Sequence, residues 1–168
     1  MWVDFVTTFP ILSAMIQFAI LGTTGEIFGN SIRLKKFTLF KPKMLLGKAV
    51  IWAILAVFIK YAFVGFTGFV NELIFHNMLP NVFTPFFISA FMNILFGPLL
   101  IFSHRFMDNI LSKESNWKGI NGALLTLIWF WIPAHTVTFY MPQVWRITLA
   151  AVWSVVLGII MGYFKRKK

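Results

Sequence analysis

Long apolar runs, separated by short polar stretches in which the basic residues collect, organise this chain. Five runs extend from about Phe5 to Phe28, Ala49 to Val70, Pro80 to Phe102, Gly119 to Tyr140 and Gln143 to Phe164. Each is long enough for a helix to cross a hydrocarbon core of roughly 30 Å, which takes about 20 apolar residues. A spanning strand would need only about 9–11 residues of alternating polarity, and no such alternation is present. Within lipid a segment must satisfy its own backbone N–H and C=O groups, so runs of this length predict helices. The pattern therefore predicts an all-α fold: a polytopic transmembrane helical bundle with five spans, forming a single domain over residues 1–168.

The polar stretches test that count. Arg33, Lys35, Lys36, Lys41, Lys43 and Lys48 lie between the first two runs, and Arg105, Lys113 and Lys118 between the third and fourth. Lys165, Arg166, Lys167 and Lys168 follow the fifth. Five spans place all three clusters on one side and leave only Lys60 within a span and Arg146 at the opposite face. Four spans would divide the clusters. The positive-inside rule then predicts an outside N-terminus and a cytoplasmic C-terminus. Phe37, Thr38, Leu39 and Phe40, set among lysines, read as an interfacial segment with aromatics in the headgroups and cations on anionic lipid. Trp117 and Tyr163 fall where aromatic belts are expected.

Composition agrees with the pattern. Of the 168 residues, 59% are apolar and 12% charged, with a mean hydropathy of +0.81. A soluble domain is roughly 45–50% apolar and about 25% charged, and this much Phe, Trp, Ile and Leu would leave large apolar patches facing water. The net charge of +10 would suggest nucleic acid in a soluble protein. Here the inside rule accounts for the basic clusters, and no nucleic-acid partner is expected. Without cysteine, disulfides and thiolate metal sites are excluded. Met1, Trp2, Val3 and Asp4 lack the basic n-region of a signal peptide, so none is expected.

Polar residues within the spans are the candidates for function, because a charge at the bilayer centre costs at least about 2.5–3.5 kcal/mol on insertion scales. Lys60 lies about twelve residues, or roughly 18 Å, from the basic end of the second span. Glu26 lies in the first span, two turns before Arg33. Opposite signs on consecutive antiparallel helices predict that Lys60 faces the interior and reaches Glu26 directly or through one water; the alternatives are a snorkelling lysine and a carboxylate among loop lysines. Pro133 predicts a kink in the fourth helix, since it removes a helical hydrogen bond and strips the carbonyl of Trp129 of its donor. His135 beside that kink reads either as a packing histidine or as the lining of a wet cavity. Pro142 makes the turn, and Arg146 is expected to anchor it or to cap carbonyls of the fourth helix, an anion contact being the other reading. Asn93 and Gln17 are expected to make interhelical hydrogen bonds. Gly25 with Gly29, and Gly158 with Gly162, are small-xxx-small pairs that allow close backbone approach.

The run Trp129-Phe130-Trp131-Ile132-Pro133-Ala134-His135, followed by Phe139-Tyr140-Met141-Pro142, Arg146 and Trp153, resembles the signature of the Mpv-seventeen/peroxisomal membrane protein family. Pro133, Phe139, Pro142, Arg146 and Trp153 match in order, with the four-residue step from Pro142 to Arg146 kept. The stretch between the prolines is about two residues shorter, His135 stands near the family Gln, and Thr138 replaces an Asn. Pro10, Gly22, Gly25 and Glu26 are similar to the family's early Pro and Gly-rich helix, and Asn116-Trp117 to the Asn-Trp before its penultimate helix. The resemblance implies a small multi-span protein associated with membrane permeability to small solutes. The family is usually drawn with four spans, where the charges of this chain predict five.

No paired carboxylates share a face, and there is no His-Glu-x-x-His, phosphate loop or nucleophile elbow. His76, His104 and His135 fall at different depths, so no shared metal site, cofactor or enzymatic activity is expected. The functional expectation is a non-enzymatic membrane protein that forms or gates a pathway for small polar solutes. The alternative is a structural or adaptor subunit whose helices pack on a membrane partner or a second copy. The lipid surroundings expected are a prokaryotic cytoplasmic membrane, or an organellar inner membrane in a eukaryote.

Overall fold

The computed structural model describes residues 1–164. It is all-helical among those residues, and five of its helices are long and apolar enough to cross a membrane. They are α2 (Pro10–Leu34), α3 (Pro42–Phe75), α4 (Asn81–Ser112), α5 (Ile120–Tyr140) and α6 (Gln143–Phe164), preceded by the short α1 (Trp2–Thr8). The first expected run began at Phe5, but the chain breaks at Phe9. Pro10 cannot donate a hydrogen bond and serves as the first residue of α2 instead. α3 extends beyond both of its expected ends by about one to two turns, and α4 beyond its C-terminal end by nearly three.

The ends are closed locally. Lys35, Asn77 and Lys113 adopt left-handed backbone angles with φ of 55°, 56° and 58°, and the following N–H groups return to carbonyls of the last turn, as from Lys36 to Ser31 and from Glu114 to Asn109. Phe37–Phe40 is non-helical, and Thr38 N–H donates to Ser31 Oγ (3.0 Å). The last basic cluster, Lys165, Arg166, Lys167 and Lys168, lies outside the described residues.

Besides the packing of α2 on α3, two contacts build the bundle. α2 and α6 run parallel and touch backbone to backbone: a Cβ on Gly25 would lie 2.6 Å from the carbonyl oxygen of Ser154, and one on Gly29 2.7 Å from that of Gly158. Gly162 meets Gly29 in the same way. The two glycine pairs therefore mesh with each other, and any side chain would force the helices apart. The second contact is α4 against α5. Each carries one wide turn with i→i+5 geometry, Met92–Phe96 and Leu127–Trp131, in which Gly97 N–H donates to Met92 O and Ile132 N–H to Leu127 O. Each wide turn ends two residues before a proline, Pro98 or Pro133. A proline ring clashes with the carbonyl four residues back, and widening the preceding turn relieves it. The disturbance expected at Pro133 therefore falls in the turn before it, and hydrogen-bonded helix resumes at Ile132.

Outward faces carry Ile20, Phe58, Val64, Leu99, Ile128 and Val152, all exposed. Lipid is the solvent this surface suits.

Candidate functional site

A cavity of about 450 Å³ lies between the five long helices. Its lining runs from Phe18 to Arg33 on α2, Lys48 to Phe63 on α3, Met92 to Asp108 on α4, Ile120 to His135 on α5 and Ala150 to Gly162 on α6. Each stretch ends at the same side of the bundle, where the loops carry the basic residues. At 1.5 Å per residue the cavity runs about 20 Å into the bundle. None of its lining residues lies beyond Phe18, Phe63, Met92, His135 and Ala150. Past that level Ala14, Val70, Ile88, Phe139 and Ile147 are buried against one another, and the rings of Phe63 and Phe139 meet at 4.9 Å. The cavity is open at one end and closed at the other.

The mouth holds a charged cluster drawn from three helices. Glu26 of α2 accepts from the Trp52 indole N–H (2.8 Å) and lies 3.2 Å from His104 Nε2. Lys48 bridges Glu26 (2.5 Å) and Asp108 (2.8 Å), and the Asp108 carboxylate lies 4.0 Å from His104 Nε2. His104 and Asp108 are one turn apart on α4, and their ligand atoms and that of Glu26 all fall within 4.8 Å of one another. The Trp52 ring also packs on His104, with centroids 4.7 Å apart.

The floor is neutral and polar. Asn93, in the wide turn of α4, donates from Nδ2 to Ser89 O (2.8 Å) and lies 3.1 Å from His135 Nδ1. The Asn93 amide holds that edge of the ring, with Nδ2 at 3.1 Å and Oδ1 at 3.3 Å from His135 Nδ1. His135 is buried, stacked on Trp131 at 5.0 Å and edge-on to Phe63 at 5.5 Å. It lines the cavity, and among the described residues Nε2 has no partner. Ser89 Oγ donates to Ile132 O (2.7 Å), a hydrogen bond that ties α4 to α5.

The sequence-predicted residues are distributed differently from expectation. Glu26 and His135 both line the cavity, at its mouth and floor. Lys60 does not. It is half-buried at the edge of α3, and among the described residues it makes no ion pair or hydrogen bond. The partner of Glu26 is Lys48, which the sequence groups with the loop charges. Twelve residues are three and a third helical turns, so Lys48 and Lys60 point about 120° apart on one helix. Arg146 donates to Met141 O (2.9 Å) and Phe139 O (3.1 Å) and lies over the Phe139 ring. It caps α5 across the Pro142 turn. Trp153 Nε1 donates to Thr138 Oγ1 (3.1 Å). The motif from Phe139 to Trp153 thus builds the α5–α6 hairpin and not the cavity. Asn93 bonds between helices as expected, whereas neither amide atom of the buried Gln17 has a protein partner. Sequence reasoning missed His104, Asp108 and Lys48. The four-residue spacing of His104 and Asp108 at the inner end of a span was the available signal.

No protein-family model, curated protein or solved structure matches this chain.

Proposed function

We propose that this membrane protein is non-enzymatic and admits small polar solutes to the one-sided cavity as part of a pathway across the bilayer. The cavity carries this reading: it penetrates about 20 Å from one face, with charge at its mouth, the His135 imidazole at its floor and a sealed aromatic layer beyond. A blind cavity becomes a pathway if that layer parts while the mouth closes. The likeness to the Mpv-seventeen/peroxisomal membrane protein family agrees with this reading, but the cavity is its basis. By the positive-inside rule the open end faces the cytoplasm. Cysteine substitution should then label Asn77→Cys from outside and Ser112→Cys only after permeabilisation, and the reverse pattern would invert the orientation.

The direct test is reconstitution into liposomes, following efflux of neutral, anionic and cationic solutes with and without protein. Flux should depend on protein and be blocked by Leu127→Trp, which fills the cavity beside Gly97. No flux at any voltage or pH would overturn the proposal. A co-purifying membrane partner in that case would favour the adaptor role.

A further inference from the structure

We propose that Glu26, His104 and Asp108 form a binding site for a divalent first-row transition-metal cation at the cavity mouth, with the Lys48 ammonium as its built-in competitor. The donor set is one imidazole nitrogen and two carboxylates, which suits zinc, cobalt, iron or manganese more than the all-oxygen surroundings that magnesium and calcium take. The spacing is close to that of a formed site. Bonds of about 2.0–2.2 Å place neighbouring ligand atoms roughly 3.0–3.5 Å apart; His104 Nε2 and Glu26 Oε1 are at 3.2 Å, and His104 Nε2 and Asp108 Oδ2 at 4.0 Å. All three ligand atoms lie within 4.8 Å of one another, so side-chain adjustments of about 1–2 Å close the set. The Trp52 indole N–H holds the Glu26 carboxylate from behind, as outer partners of metal ligands do.

Charge supplies the second reason. With His104 neutral, as a metal ligand must be, two carboxylates against one ammonium leave the cluster a unit negative in a half-buried place. Arg33 and Arg105 line the same mouth, but among the described residues neither pairs with these carboxylates, and Arg33 is bonded to Asn30. A divalent cation would neutralise the cluster, provided Lys48 leaves. Its stem is long, and the Phe40 ring, 5.6 Å from the ammonium, offers the displaced charge a face. All three side chains line the cavity. This inference does not rest on the transport reading, since binding is measured on the purified protein without any flux.

The test uses full-length protein in detergent with a histidine-free tag and the His76→Ala change, which removes the surface Glu72–His76 pair. Co²⁺ is the spectroscopic probe, Zn²⁺ the competitor and Mg²⁺ the control. Co²⁺ should bind one per chain with visible absorption bands, be displaced by Zn²⁺ and ignore Mg²⁺. Glu26→Gln, His104→Gln and Asp108→Asn should each weaken binding at least about tenfold. Lys48→Met should strengthen it at least about tenfold by removing the competing charge, and Zn²⁺ should raise its melting temperature more than that of the parent. Should Lys48→Met not fold, Lys48→Gln is read in the same way. Absence of saturable binding in parent and Lys48 variants, binding that survives all three ligand changes, or a Lys48 variant that binds no more tightly would each overturn the proposal.

Discussion

The two halves of the bundle handle buried polarity in opposite ways. In the closed half Arg146 is satisfied within seven residues, by carbonyls of the helix it follows, and the layer around it is filled by Phe139, Ile147 and Val70. In the open half Lys48 and Glu26 are satisfied only by groups on other helices, and space remains between them. A local cap forms with its hairpin and stabilises whatever that hairpin packs against. A cluster spread over α2, α3 and α4 exists only when all three are in place, and it loosens when one of them moves.

Stability variants sharpen that comparison. The largest loss is expected from Gly158→Leu, whose side chain would enter the backbone of α2 at Gly25; about 3 kcal/mol or more should disappear, read as a lower melting temperature in detergent. Gly68→Ala, with nothing within 4 Å of its Cβ, should stay within about 0.5 kcal/mol. Next comes Lys48→Met, which strands two carboxylates. It should cost about 2–3 kcal/mol, less than a fully buried break because the cluster touches the cavity. Adding Glu26→Gln and Asp108→Asn should return most of that loss, and simple additivity in the triple variant would show that the three are uncoupled. Arg146→Met should cost about 1–2 kcal/mol through two hydrogen bonds and a ring contact. Since Arg146 has no acidic partner among the described residues, its effect should be insensitive to salt, whereas that of Lys48→Met should shrink as salt rises. The smallest change, under about 1 kcal/mol, is expected for Lys60→Met. A large loss there would show that Lys60 has a partner in the membrane.

Much of this arrangement was legible before any coordinates. Apolar run lengths set the helix count, since lipid leaves a spanning backbone no alternative. Pro142 marks the turn between the last two helices, and the two glycine pairs identify the faces that touch, whereas the helix start at Pro10 lies inside an unbroken apolar run and was not legible there. These are properties of single segments and their solvent. Tertiary structure alone decided which charges meet: Glu26 and His104 are 78 positions apart, and their contact depends on how α2, α3 and α4 rotate about their axes. The sequence singles out Lys60 because it is deep. Its helix turns it toward the edge, and Lys48 reaches the interior instead. Hydropathy reports depth along a helix, while pairing depends on azimuth, and the azimuth is fixed only when neighbouring helices pack.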